Sequence, residues 1–210
     1  MCKAILFMLL ILSMRSQSQE HAGVEQYYYS AGGSSSIVPK VYYQDKKNWF
    51  GEMRYNYEAN ETMSLNAGKM FSNDNALFDF SITPFAGIVL GKLNGGSVGS
   101  NLNLEYHDMY FSSEGQYTFS FSDQKENFIY NWSELGYQLN KLVYTGLALQ
   151  ATHPYELKNY WEPGILLGFT YKNWTFPLYA FSPANDGRNY VLGINWEWKY
   201  QEIKTAAKLY

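Results

Sequence analysis

The chain has little of what most soluble or disulfide-bonded folds contain. Its 210 residues include one cysteine, six prolines and only 17% charged residues. A single cysteine cannot form an intramolecular disulfide, so covalent cross-links do not hold the fold together. Low charge combined with 19% aromatic residues argues against intrinsic disorder, which has the reverse composition. The formal net charge of -3 and the lack of a Lys/Arg cluster argue against a nucleic-acid partner.

Long apolar runs are missing too. The apolar stretch at residues 4–12 has nine residues, whereas a membrane-spanning helix needs about 20. Lys3 precedes this stretch, and small serines at positions 16 and 18 follow it, which is typical of a cleaved secretory signal. We therefore predict a signal peptide over residues 1–18. Its removal would take away Cys2 and leave an exported chain without cysteine.

What the sequence does have is alternation. In residues 189–200, every second residue is large and apolar, Trp196 and Trp198 among them, and the positions between are mostly polar. Side chains of a strand point alternately to opposite faces, so this strand has one lipophilic, aromatic face and one polar face. A second strand starts at Trp49 and continues the lipophilic parity to Tyr57. A transmembrane β-barrel turns such faces to lipid, with aromatic girdles at its rims, and keeps polar faces for the lumen.

The same period of two recurs along the chain, and no sustained helical period follows residues 1–18. From residue 49 onward we count ten strands, and residues 26–30 and 37–44 add two more. The predicted fold is all-β, a closed antiparallel up-and-down barrel over residues 19–200 with twelve strands. Ten strands and an unpaired N-terminal segment are the alternative. Residues 201–210 lose the alternation, and we expect them to form a periplasmic tail.

Turn-forming residues separate the strands, and short turns alternate with longer loops. Bacterial barrels have short periplasmic turns and longer external loops. We expect residues 31–36 to form a flexible external loop. The predicted short turns are residues 73–75, 113–115, 140–141 and 172–173.

Two stretches fit the alternation less well. The apolar parity changes between Trp132 and Leu135, and one inserted residue in a β-bulge at Ser133 or Glu134 would explain the change. Residues 174–182 are apolar on both parities, so the sequence leaves their facing open.

The polar parity carries charged residues that we expect to line the lumen, with Lys40 as a further candidate. One interpretation is a narrow channel whose acidic lining favours cations. The other is a charge network that fills a small barrel. Either one requires the buried basic residues to pair with acidic neighbours. The predicted lumen residues are Glu52, Arg54, Glu58, Asp79, Glu105, His107, Glu162, Glu197 and Lys199.

Catalytic and metal-binding chemistry has little support. His107 stands near Glu105 and Asp108, but no serine lies at a spacing typical of a barrel hydrolase, so we predict no catalytic residues. A metal site needs clustered ligands, and the histidines are far apart in a mature chain without cysteine. We expect no metal and no cofactor.

The residues Gly193-Ile194-Asn195-Trp196-Glu197-Trp198 resemble the C-terminal signal that outer-membrane barrels present to their assembly machinery, Gly-x-x-aromatic-x-aromatic. Gly193, Trp196 and Trp198 occupy its defining positions. The whole chain resembles small porin-like outer-membrane proteins. The resemblance implies a place among the lipids of the outer membrane, insertion by the barrel-assembly machinery, and passage of ions or small solutes. A non-conducting structural or interaction barrel, a lipid-acting barrel enzyme and a soluble calycin-like barrel are the alternatives.

Overall fold

The computed structural model describes residues 20–74, 78–184 and 187–199, without the side chains of Asp74 and Lys199. The predicted signal peptide, residues 1–18, and the predicted tail, residues 201–210, lie outside the described residues.

Within these residues the chain is almost entirely β. No helix of the described part is long and apolar enough to cross a membrane. Apart from a short 3-10 helix, Gln124–Glu126, the elements are β1 (His21–Ala31), β2 (Ser34–Gln44), β3 (Trp49–Tyr55), β4 (Thr62–Lys69), β5 (Phe71–Asp74), β6 (Asp79–Gly91), β7 (Gly95–Tyr106), β8 (Met109–Ser120), β9 (Phe128–Gln138), β10 (Val143–Pro154), β11 (Tyr160–Tyr171), β12 (Trp174–Phe181) and β13 (Asn189–Lys199).

The sheet closes into a ring of twelve antiparallel strands. β1 pairs with β2 on one side and with β13 on the other, and β4 pairs with both β3 and β6. The short β5 lies outside the ring and continues the register of β4 along β6, because Gly68 faces Phe85 and Phe71 faces Ile82. The predicted closed twelve-stranded barrel is confirmed, and the ten-stranded alternative is wrong.

The two ends of the barrel differ in their connections. We call the end where β1 begins and β13 ends the terminal end, and the opposite one the loop end. At the terminal end, connections of two residues (107–108 and 172–173) and of four residues (45–48 and 139–142) join strands, whereas connections at the loop end range from two residues at 32–33 to seven at 121–127.

Two predicted connections are wrong. The expected loop at 31–36 is a two-residue turn, because β1 and β2 pair as far as Ala31 and Ser34, and Gly32 and Gly33 supply the positive φ angles of 55° and 83° that the turn needs. The expected turn at 113–115 lies inside β8. Its Ser-Glu-Gly composition is typical of a turn, but pairing with β7 and β9 on both sides keeps this segment extended.

The expected bulge in β9 is absent as well. Its register with β8 and with β10 runs without interruption from Phe128 to Gly136. The change in apolar parity has another cause, which is that the aromatic residues Tyr130 and Trp132 point into the barrel. They pack there against other rings, at centroid distances of 5.5 Å from Tyr57 and 4.9 Å from Tyr179.

The wall has an apolar outer face and a mixed inner face. Outward side chains such as Leu147, Ile165 and Leu167 are more than half exposed. The facing of β12, which the sequence left open, is settled by burial, since Trp174, Phe176 and Leu178 are exposed while Tyr179 and Phe181 are buried inside. The inner cluster consists of Tyr144, Ala148, Leu166, Tyr179, Phe181 and Val191.

We predict that Gly146→Ala destabilises the barrel by about 1–3 kcal/mol. A Cβ at Gly146 would lie 2.3 Å from the carbonyl oxygen of Leu135 on the neighbouring strand, so the backbone must move. Gly51→Ala is the matched control, since nothing lies within 4 Å of its Cβ position, and we expect a change within about 0.5 kcal/mol. Urea unfolding in lipid vesicles, followed by tryptophan fluorescence, measures both. Equal stability of the two variants would contradict this packing.

Candidate functional site

A row of charged side chains crosses the inner face of the first three strands. Glu25, Lys40 and Arg54 are direct neighbours on β1, β2 and β3. Glu52 lies one inward position from Arg54, because inward side chains on a strand are two residues apart. Lys40 Nζ lies 3.1 Å from Glu25 Oε2 and 3.6 Å from Glu52 Oε2, and Arg54 Nε donates to Glu52 Oε1 at 2.5 Å.

The row extends across the lumen to Glu114 on β8, which three strands separate from β3 in the ring. Arg54 Nη1 lies 2.6 Å from Glu114 Oε1, and Lys40 Nζ lies 3.6 Å from Glu114 Oε2. Arg54 Nη1 also donates to Gln116 Oε1 at 3.2 Å, and the amide nitrogen of Gln116 donates to Glu58 Oε1 at 3.1 Å. These contacts tie opposite walls together and narrow the lumen.

Tyr57 completes this charge network. The sequence pattern predicts it on the lipid face, but β3 ends at Tyr55, and the chain beyond turns inward. The Tyr57 hydroxyl donates to Glu114, and its ring lies 4.2 Å from the guanidinium carbon of Arg54. Burial, and then the nearby Glu114 carboxylate, raise the pKa of the Tyr57 phenol well above its ordinary value. The phenol therefore stays protonated and keeps its hydrogen bond to the carboxylate.

A second polar cluster surrounds Glu134 on β9. Its Oε1 accepts hydrogen bonds from Trp132 Nε1 at 2.7 Å and from the Tyr179 hydroxyl at 2.7 Å, and its Oε2 accepts one from the Tyr110 hydroxyl at 3.2 Å. The Trp132 ring packs edge-to-face against Tyr179 and Phe181, with centroid distances of 4.9 and 5.2 Å. The inner apolar cluster therefore holds this carboxylate in place.

A cavity of about 640 Å³ lies between these clusters and the terminal end of the barrel. Serines, asparagines and aromatic residues line much of it. Lys40 is its one lysine, and no arginine of the described chain lines it. The lining carboxylates are Glu25, Glu52, Glu105, Glu114, Glu134 and Glu197.

Five predicted lumen residues lie on the inner side of the wall or beside it. Glu52, Glu105 and Glu197 line the cavity, and Arg54 is fully buried in the charge network. Glu58 accepts its hydrogen bond from Gln116 in the same network.

A sixth predicted lumen residue, Glu162, is half-buried on β11 and shares the inward parity of Gly164 and Leu166. Asp79 is exposed at the start of β6, opposite Glu105 in the sheet. His107 is exposed in the turn after β7, with a φ of 54°, because the strand and its alternation end at Tyr106. Lys199 ends β13, and its side chain lies outside the described part.

The predicted assembly residues sit on the closing strand. Gly193 is buried on the inner face, Trp196 is half-buried on the outer face, and Trp198 is exposed near the terminal end. In the described residues, no group of three or more His, Cys, Asp or Glu side chains could hold a metal ion.

The sequence pattern missed Glu25, Glu114 and Glu134. The sequence pattern places Glu114 in a turn and Glu134 in a bulge, whereas both lie in strands whose alternation is unbroken. In β8 the even positions, from Tyr110 to Thr118, share the inward face with Glu114, and this parity is the signal that would have identified it.

We predict that Arg54→Met destabilises the folded barrel by about 3–5 kcal/mol, because it removes the cation nearest to Glu52 and Glu114 and leaves Lys40, at 3.6 Å from each, to offset both charges. The control is Lys92→Met, which breaks the exposed 3.2 Å pair with Glu61 and costs less than about 1 kcal/mol. Urea unfolding in lipid vesicles compares the two. A small loss at Arg54, equal to that at Lys92, would mean that the network contributes little.

Comparison with known proteins gives a match in fold alone. No family model matches the sequence, and no curated protein matches it. The structure is similar to the KdgM porin, with 12% identity, a TM-score of 0.58, and coverage of 83% of this chain and 98% of that one. It is similar to the NanC porin, with 11% identity, a TM-score of 0.57, and coverage of 86% and 100%. A structure titled KdgM porin in complex with disordered oligogalacturonate aligns with 10% identity, a TM-score of 0.58, and coverage of 85% and 99%. The predicted likeness to small porin-like outer-membrane barrels is confirmed at the level of the fold.

Proposed function

We propose that this protein is an outer-membrane β-barrel that passes ions or small solutes. The observation that carries the proposal is the cavity of about 640 Å³, lined by six carboxylates, inside a closed ring whose outer face is apolar. Closed barrels with apolar exteriors and polar interiors are the β-structures that span membranes. The similarity in fold to the KdgM and NanC porins supports the same role.

The outer surface supports the membrane location. Soluble monomers rarely expose contiguous apolar patches larger than several hundred Å². Here large aromatic side chains stand at both rims of the outer face, with Trp49 and Tyr171 at the terminal end and Trp161 and Tyr190 at the loop end, all of them exposed. Such girdles mark the two interfaces of a bilayer. In this proposal residues 1–18 direct export, and the assembly machinery recognises Gly193, Trp196 and Trp198.

The charge of the lining supports a preference for cations. Six carboxylates line the cavity against one lysine. A low-dielectric wall focuses the electric field of these excess negative charges, and the field raises the local concentration of cations. One similar structure is a porin complex with oligogalacturonate, a polyanion. An acidic lining repels polyanions, so we propose cations and small uncharged molecules as the solutes of this chain.

The charge network sets the width of the path. Arg54, Tyr57 and Glu114 meet across the lumen, so a solute passes beside this bridge or displaces it. We therefore expect a small unitary conductance. A non-conducting structural barrel is the competing function.

The membrane location predicts a cost for a charge on the outer face. Ile165→Lys, in the middle of β11, should destabilise the barrel in lipid vesicles by about 2–4 kcal/mol, because it places an ammonium in hydrocarbon. Leu157→Lys, an exposed position in the connection after β10, is the control and should cost less than about 0.5 kcal/mol. If Ile165→Lys left the free energy of unfolding unchanged, and carbonate released the wild-type protein from membranes, the results would favour a soluble ligand-binding barrel.

The channel proposal predicts cation-selective conductance in planar bilayers. Glu105→Gln removes one charge from the cavity lining and should lower the cation-to-anion permeability ratio about twofold. Glu61→Gln removes the same charge from the loop-end connection, outside the cavity, and should leave the ratio nearly unchanged. Reversal potentials across a salt gradient measure both. If the purified, folded barrel never conducted, the channel proposal would be wrong and the non-conducting structural role would remain.

A further inference from the structure

Glu134 differs from Glu25, Glu52 and Glu114 because its hydrogen-bond partners are all neutral. Glu25, Glu52 and Glu114 share the positive charges of Lys40 and Arg54. Around Glu134, no basic nitrogen of the described chain lies within 4.0 Å of the carboxylate. Its hydrogen bonds come from one indole and two phenols. Neutral donors stabilise a carboxylate without cancelling its charge.

This uncompensated charge faces open space. Glu134, Trp132 and Tyr27 all line the same cavity. The rings of Tyr27 and Trp132 lie 6.2 Å apart and are tilted by 47°, so aromatic surface stands beside the carboxylate. The face of an aromatic ring attracts a cation that lies within about 6 Å of its centre. The carboxylate and the faces of the two rings therefore attract the same kind of ligand, which is a cation.

The site is held rigid by packing behind it. Tyr179 and Phe181, which contact Trp132, are fully or almost fully buried. Tyr110, the third donor to Glu134, packs against Tyr144 at a centroid distance of 6.1 Å. Groups fixed in advance lose little conformational freedom when a ligand arrives, which favours binding.

We propose that Glu134, Trp132 and Tyr27 form a binding site for an organic cation, a primary ammonium on a compact apolar body. The proposal rests on the channel function and names its solute class. The ammonium donates to Glu134, and the body lies against the two rings. Glu25 accepts a hydrogen bond from Tyr27 at 3.1 Å. Together with Glu52 and Glu114 it sets three negative charges against the two positive charges of Lys40 and Arg54, so the neighbouring network adds a net negative potential.

Titration of the detergent-solubilised full mature chain with tyramine tests the site. Tyrosol, which carries a hydroxyl in place of the ammonium, is the neutral comparison, and empty micelles provide the blank. Calorimetry should give at least about tenfold tighter binding of tyramine than of tyrosol. Glu134→Gln keeps the shape and should weaken tyramine binding about tenfold or more without changing tyrosol binding. Equal affinities for the two compounds, or an unchanged tyramine affinity in Glu134→Gln, would overturn the proposal.

Two further variants keep the result interpretable. Glu61→Gln, outside the cavity, should bind tyramine like the wild type. Glu134→Asp keeps the charge but shortens the side chain, and should bind with intermediate affinity. It replaces Glu134→Gln if that variant does not fold, and wild-type affinity in Glu134→Asp then overturns the proposal. Bilayer conductance, measured without tyramine, separates the two proposals. If the barrel conducts but does not bind tyramine, only the binding site is rejected. If the barrel binds tyramine but does not conduct, only the channel function is rejected.

Discussion

Closure of the sheet is the constraint on which the rest of the structure depends. An open sheet leaves a row of unpaired backbone groups at each edge, and in hydrocarbon such groups have no water to bond with. β1 and β13 remove both edges by pairing over eleven residue pairs, from His21–Lys199 to Ala31–Asn189. The chain has one cysteine, so this ladder and the packing inside it hold the fold. The Gly32–Gly33 turn matters for the same reason, because it lets β2 follow β1 along its whole length.

Closure also creates an interior that must be filled or hydrated. Different interactions fill the two halves of this interior. On the side of β10 to β13, rings and aliphatic side chains pack around Tyr179 and Phe181 as in a soluble core. On the side of β1 to β3, ions and amides pair across the lumen through Arg54 and Glu114. A buried guanidinium is tolerable only with partners this close. The cavity lies where neither kind of packing reaches.

This division links the architecture to the proposed function. The aromatic half fixes the donors around Glu134, and the ionic half narrows the passage at Glu114. The excess of carboxylates over Lys40 and Arg54 gives the lumen a net negative charge. The porins with a similar fold align at 10–12% identity, so what they share with this chain is the barrel fold. Selectivity resides in the side chains that line the lumen, because the backbone of a closed barrel offers no free polar groups to a solute.

The sequence by itself determined the class of fold, because the period of two is a local property of extended backbone. It assigned Glu52 and Arg54 to the inner face and Ile165 and Leu167 to the outer face. The local pattern predicted the wrong structure at Ser113 to Gly115, because strand pairing on two sides overrode the turn propensity of these residues. It predicted a bulge near Trp132, because this large aromatic side chain points into the barrel. Only the tertiary structure decided that Arg54 reaches Glu114 and that Tyr27 lies beside Trp132, since contacts across a lumen depend on closure, curvature and the relative heights of strands far apart in the sequence.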